Sequence, residues 1–426
     1  MDNSIIHRTV PQLRFPDFAN DEEWEVKRLG DLFTRVTDKN SENNKNVLTI
    51  SAQYGLVNQF EYFSKNVAAT DVTNYYIIKK GDFAYNKSRS QGYPFGAIKP
   101  LLLYEKGVVS TLYICFRLKE ESMCDADFFR FYFETGMING QISNIAQEGA
   151  RNHGLLNISS EDFFNILLRV PPLAEQQRIA ACLSAADEMI TSTNGKLEQL
   201  KAYKKGLMQQ LFVTSTGGGK LLIINALKKP KLRFPEFYNE KEWEEKKLGE
   251  VCKLTNGMAF KPSDWQNSGM PIVRIQNLND EKVEFNYCDP DDIDKKYMIN
   301  SGSLLFSWSG TPGTSFGAYI WKRGEALLNQ HIFIVDPIGI ERLFLKMILD
   351  VNMSKIIEKS HGGAGLRHIT KTDFEQIEIF VPKNLSEQCK IASCFSMMED
   401  QINAYKEKVA LLGQYKKGLM QRMFSN

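Results

Sequence analysis

The sequence predicts an α+β protein. Two tandem α/β globular domains are separated by two long helices that form an antiparallel coiled coil, with pseudo-two-fold symmetry. Three observations carry this. Ile179, Leu183, Ala186, Ile190, Thr193, Leu197, Leu200, Lys204, Leu207 and Leu211 follow one another at alternating steps of four and three, and eight of these ten are apolar. That spacing is the seam of a coiled-coil helix. The seam returns 212 positions later as Ile391, Phe395, Met398, Ile402, Tyr405, Val409, Leu412, Lys416, Leu419 and Met423, and Tyr-Lys-Lys-Gly-Leu-Met-Gln is identical at 203–209 and 415–421. Third, the opening of each globular stretch repeats. Leu13-Arg14-Phe15-Pro16-Asp17-Phe18, Trp24 and Leu29-Gly30 recur as Leu232-Arg233-Phe234-Pro235-Glu236-Phe237, Trp243 and Leu248-Gly249.

The boundaries follow from the repeat: a first domain at 1–169, a first helix at 170–212, a linker at 213–230, a second domain at 231–380 and a second helix at 381–426. Proline precedes each helix, at Pro171-Pro172 and at Pro382, where it suits a helix start. The aromatic-proline openings read as ordered arms packed on their own domains. Short β-rich runs at 47–51, 75–78, 108–118, 272–275, 303–307, 318–321 and 331–335 are punctuated by glycines such as Gly55, Gly81, Gly92 and Gly96, the pattern of short strands and turns. Residues 128–133 and 342–348 read as one short helix in each domain. The glycine run 214–220 has Thr214 and Leu221 where a phosphate-binding loop needs Gly and Ser or Thr, and so reads as linker.

The 426 residues are 43% apolar and 24% charged, with no stretch long and apolar enough for a membrane span and no secretory signal at the start. A cytoplasmic protein with no membrane partner is expected. Its seven cysteines show no metal spacing and read as reduced thiols. The net charge of +2 is unevenly spread. Residues 1–169 hold 19 basic and 21 acidic side chains and residues 230–380 hold 19 and 22, so the excess lies on the helical stretches. Neither globular domain is the basic body of an autonomous nucleic-acid binder, although a local basic face remains open.

A helix over 173–212 is about 60 Å long. Antiparallel pairing lets the second domain feed the second helix without spanning that length. A globular module at each end of such a bar suits a two-part DNA site whose halves lie within about 17 base pairs.

Candidate readers are loops that follow equivalent strands. The first holds Asn86, Lys87, Ser88, Arg89, Gln91 and Tyr93; the second holds Ser307, Trp308, Ser309, Thr311 and Thr314. Frame residues repeat around them (Gly81/Gly302, Phe95/Phe316, Gly96/Gly317) while the loop contents differ in kind. Asn, Gln, Lys and Arg can hydrogen-bond base edges, and Ser and Thr reach phosphates. The other reading is a polar surface loop between strands. Glycine-rich stretches at 149–152 and 362–368 add Arg151, Asn152, Arg367 and His368 as phosphate contacts. In the repeated tail, Gly206 and Gly418 each cost a helix about 1 kcal/mol, and Lys204 and Lys416 lie on the seam. Tyr203, Lys204, Lys205, Gly206, Tyr415, Lys416, Lys417 and Gly418 therefore read as a seat for a partner subunit's helix. No catalytic residue and no metal ligand set is assigned. Asp289-Pro290-Asp291 lacks the second proline and aromatic of a DNA amino-methyltransferase, and the five histidines fall into no metal or triad spacing.

The tandem order resembles the specificity subunit of a type I restriction–modification enzyme, over nearly the whole chain. The likeness rests on Val170-Pro171-Pro172-Leu173-Ala174-Glu175-Gln176 and its variant at 381–388, on both Tyr-Lys-Lys-Gly-Leu-Met-Gln tails, and on Gly302-Ser303-Leu304-Leu305-Phe306-Ser307-Trp308-Ser309-Gly310-Thr311. The resemblance implies two target recognition domains, each reading half of a bipartite site in double-stranded DNA. It implies two modification subunits that methylate adenine with S-adenosylmethionine, and restriction subunits that use ATP and Mg. The first loop departs from the pattern, with Asn86-Lys87-Ser88-Arg89 in place of Ser307-Trp308-Ser309-Gly310. The rival reading is a tandem-repeat coiled-coil scaffold or regulator that binds protein partners without reading DNA sequence.

Overall fold

The computed structural model describes residues 10–51, 55–63, 71–90, 92–148, 154–212, 229–280, 282–291, 293–363 and 365–424. The chain forms two compact units, Met1–Asn194 with Glu407–Asn426, and Gly195–Lys406. Each unit thus holds one globular body, the start of one long helix and the end of the other. The long helices are Leu173–Leu211, of 39 residues, and Leu385–Phe424, of 40. All twenty expected seam positions are buried or half-buried.

In the first unit the central sheet has four antiparallel strands in the order Phe33–Val36, Ile114–Leu118, Phe83–Asn86, Ala97–Pro100. The run expected over 108–118 divides into two strands, Lys106–Val109 and Ile114–Leu118, because Tyr113 closes a turn back on Ser110 at 3.0 Å. Side chains from the central sheet (Phe33, Phe83, Phe116) meet Phe129 and Phe133 of the helix Ala126–Glu134, largely edge to face. Asp125 caps that helix by accepting the Phe128 amide at 2.8 Å.

The two portions of long helix run in opposite directions here. Asp187 pairs with Lys416, while Met423 and Phe424 lie in the core with Ile179, Ala180 and Leu183. The arm is fixed to the same place. Leu13 donates to the Arg422 carbonyl at 2.8 Å, and Arg14 forms a bidentate pair with Glu175 at 2.8 and 2.7 Å while also reaching the Asp21 and Glu22 carbonyls. Gln176 accepts the Asp125 amide and donates to the Pro171 carbonyl, joining the helix start to the globular body.

The second unit is built alike. Its main sheet has the order Cys252–Asn256, Ile332–Pro337, Leu304–Ser307, Gly317–Ile320, backed by the helix Arg342–Val351. Glu341 caps that helix on the Phe344 amide, Gln388 accepts the Glu341 amide, and Arg233 holds Glu387 at 2.7 and 2.6 Å. Lys204 pairs with Glu399, and Leu211 and Phe212 lie in the core with Ile391, Ala392 and Phe395, so the helix portions are antiparallel here too. A second four-stranded sheet around Met270–Val273 adds a separate small core. Among the described residues no helix is long and apolar enough to cross a membrane.

Candidate nucleic-acid interface

In the first unit the chain leaves the central strand at Asn86 and is caught at once by a hairpin. Ser88 bridges to Leu155, Arg89 donates to the Gly154 carbonyl at 2.8 Å, and Leu156 donates to the Lys87 carbonyl at 3.0 Å. Leu156–Asn157 pairs in turn with Gln147–Glu148. The loop therefore lies beside the paired strands Gln147–Glu148 and Leu156–Asn157, which flank the first glycine-rich stretch in sequence, and that stretch, 149–152, lies outside the described residues. Gln91, Arg151 and Asn152 lie outside the described residues.

Asn86 accepts the Ser88 amide at 3.0 Å and shapes the loop's first turn. Lys87 is half-buried, and that burial, with the nearby Arg35, lowers its pKa. Ser88 and Arg89 are exposed. Tyr93 turns inward: its hydroxyl reaches Glu134 at 3.1 Å and accepts from Lys99 at 3.0 Å. Gly96, at φ +79°, closes the loop where a Cβ would stand 2.3 Å from the Asn86 carbonyl oxygen, so no larger residue fits.

The second unit builds the same junction with other side chains. Ser309–Gly310 pairs with Arg367–His368, which pairs with His361–Gly362, giving a three-stranded sheet. Here the loop and the glycine-rich stretch meet. Thr311 hydroxyl donates to the Gly365 carbonyl at 2.7 Å, and its own carbonyl accepts the Thr314, Ser315 and Phe316 amides. Gly362, at φ +112°, faces the Leu366 carbonyl so closely that a Cβ would stand 2.3 Å from its oxygen. Thr311, Thr314 and His368 are exposed, and Ser309 and Arg367 half-buried.

Ser307 corrects the sequence reading. It is 0% exposed and its hydroxyl donates to the Ser309 carbonyl at 3.1 Å, so it shapes the loop from inside rather than meeting a ligand. The reason is that Ser307, also counted in the loop, is the last residue of the strand Leu304–Ser307, where the β-rich run over 303–307 ends. Trp308 is half-buried, stacked on Phe333 at 5.7 Å and set against His331, with its indole N–H donating to Asn256 at 2.8 Å.

Sequence reasoning passed over Arg35, Asn256 and His331. Arg35 stands exposed beside Lys87. His331 holds φ +73°, which a non-glycine residue adopts only under constraint, here under the Trp308 ring. No sequence signal marks that strain. Chemically the first junction offers guanidinium, ammonium and amide groups, and the second hydroxyls, imidazoles and an indole. Both sets suit base edges and phosphates, with different preferences.

The repeated helix tails divide. Lys204 and Lys416 are engaged within the chain by Glu399 and Asp187. Tyr203 and Tyr415 are 60% and 61% exposed, Lys205 and Lys417 are exposed, and a Cβ at Gly206 or Gly418 would meet nothing within 4 Å.

A family model described as the type I restriction modification DNA specificity domain matches residues 21–202 and 240–412. The chain belongs to that family. It carries two copies of the family's domain, in tandem. Among relatives, the type I restriction enzyme MjaVIII specificity subunit of Methanocaldococcus jannaschii is 24% identical over 419 residues, covering 94% of this chain and 91% of that protein. The fold matches a crystal structure of the type I restriction–modification S subunit from M. genitalium, with TM-score 0.57, 14% identity and coverage of 98% of this chain and 99% of that one. It also matches a chain from a structure concerned with complex assembly and conformational transition of the type I R-M system, with TM-score 0.53, 18% identity and coverage of 95% and 98%.

Proposed function

We propose that this chain is the sequence-reading subunit of a type I restriction–modification complex and itself performs no chemistry. Each globular domain reads one half of a bipartite site in double-stranded DNA, and the paired helices set the spacer. Two modification subunits, seated on the exposed face of the Tyr-Lys-Lys-Gly tails, methylate adenine with S-adenosylmethionine. Restriction subunits using ATP and Mg act on the same address. Residues 1–169 and 231–380 are the two target recognition domains.

One observation supports this reading: two matching frames each bring the equivalent loop against a short pair of strands, yet present unlike side chains. Arg89, Lys87 and Arg35 face one half-site, with Asn86 and Ser88 shaping the loop; Thr311, Thr314 and His368, with Trp308, Ser309 and Arg367 beneath, face the other. The net-negative domains support a division of labour in which partner subunits supply further positive surface to the phosphates.

The test is a chimera in which residues 231–380 are replaced by a second copy of 13–169, assembled with the modification subunits. Its methylated sites should contain the first half-site twice, in inverted orientation. Methylation that keeps the wild-type site, or follows no motif, would refute the assignment.

A further inference from the structure

In the first unit one short helix touches both the candidate reading loop and the long helices. The last residue of Ala126–Glu134 faces the loop: Glu134 takes the Tyr93 hydroxyl at 3.1 Å on one oxygen and the buried Lys99 ammonium on the other. Lys99 is buried, which opposes its charge, but Glu134 and Tyr93 outweigh burial and keep it ionised. One turn earlier, Arg130 reaches Ser184 at 3.2 Å and Asp187 at 3.8 Å on the first long helix. Asp187 takes Lys416 of the second long helix at 2.5 Å, and Lys416 lies 5.0 Å from the centre of the Phe131 ring. Polar contacts thus run from the Tyr-Lys-Lys-Gly tail to Arg130 and from Glu134 to the loop, with one turn of the short helix joining the two. A groove of about 1160 Å³ opens along the same path, walled by Phe131, Glu134, Asp187, Lys416 and Lys417.

The second unit keeps the plan. Counted from the capping acids Asp125 and Glu341, Lys346 and Asp350 stand where Arg130 and Glu134 stand, and pair at 2.5 Å. Lys204 and Glu399 repeat Lys416 and Asp187. Burial raises the Asp350 carboxyl, and Asp350 adds to burial in raising the Tyr319 phenol, whose hydroxyl reaches the Thr314 carbonyl of the second loop at 3.0 Å. Displacing Glu134 leaves the buried Lys99 ammonium without its acid, so a shift of the short helix is felt at Lys99 and Tyr93 together.

We propose that Asp187 and Glu134 are positioning residues through which occupancy of the Tyr-Lys-Lys-Gly tail sets the shape of the first reading loop. The inference rests on the sequence-reading function proposed above. A subunit entering the groove beside Lys416 and Lys417 alters the hold on Asp187, and the short helix carries that change to Tyr93. Neither positioning residue belongs to the loop it governs.

The experiment uses the full chain assembled with its modification subunits, S-adenosylmethionine and duplex libraries randomised in one half-site at a time. Absence of any bipartite motif for the wild type would fell the reading function itself. With that motif present, Asp187→Asn should raise methylation at near-cognate first half-sites, relative to cognate, by about fivefold or more. Preference at the second half-site should stay as in the wild type, and Asp187→Glu should restore the first. Glu134→Gln should act alike, and the double variant should show no more than the larger single effect. Unchanged preference in both single variants, equal loss at both half-sites, or additive effects would overturn the proposal. Should Asp187→Asn fail to assemble, Ser184→Ala, which removes only the hydroxyl taking Arg130, carries the same expectation and the same contrary result.

Discussion

Arg14 and Arg233 show how much a repeated motif conveys and where it stops. Each arginine was visible in its arm and each glutamate in its helix start, but nothing in one sequence joins residues 161 or 154 positions apart. The structure joins both into buried bidentate pairs whose side chains are at most 7% exposed. Removing one member strands the other charge, so Arg233→Ala should destabilise the chain by about 3–5 kcal/mol, read from urea unfolding, while a loss below about 1 kcal/mol would show the pair to be solvated. Ser307 turned out buried for a related reason: polarity in a loop does not reveal which side chains turn inward. Burial also pushes the Cys115 and Cys252 thiols up to about 12. Since the thiolate is the nucleophile, raising a thiol's pKa keeps it protonated and inert at pH 8. Iodoacetamide at that pH should label exposed Cys389 first and spare Cys115 and Cys252 until the chain unfolds, with mass spectrometry locating the label.

At the level of elements, the helices were the most legible part. A seam with period 3.5 leaves one face for burial, and every seam position is indeed withdrawn from solvent, including Lys204 and Lys416, whose charges find acids on the facing helix. Strands were legible as β-rich runs but not in their ends, because a turn such as Ser110–Tyr113 needs no glycine. The meeting of each candidate loop with a short pair of strands was not legible at all, since that pairing is set by tertiary register. The tail glycines allow a direct element-scale test. With open space at both Cβ positions, Gly206→Ala and Gly418→Ala should each stabilise the isolated chain by about 1 kcal/mol through helix propensity. If a partner helix packs there, the same changes should weaken assembly with the modification subunit in a titration. Unaltered assembly would remove those glycines from the partner seat.

For the whole molecule, the repeat makes helix length a quantity that can be changed without touching either reading surface. The unit boundaries fall at Asn194/Gly195 and at the equivalent Lys406/Glu407. Inserting one heptad at both points preserves the seam phase and adds about 10 Å to each helix. The recognised spacer should then grow by about three base pairs, with both half-sites intact; a spacer that stays fixed would separate helix length from spacing. The central claim is that two unlike surfaces on matching frames each read one half of a site. Single-molecule sequencing of methylated adenine, in cells carrying the chain and its modification subunits, tests it most directly when wild type is compared with Arg89→Ala. Two dissimilar half-sites at a fixed gap, with preference altered in one half alone, is the result expected. A single continuous motif, or an Arg89→Ala change felt equally in both halves, would contradict it.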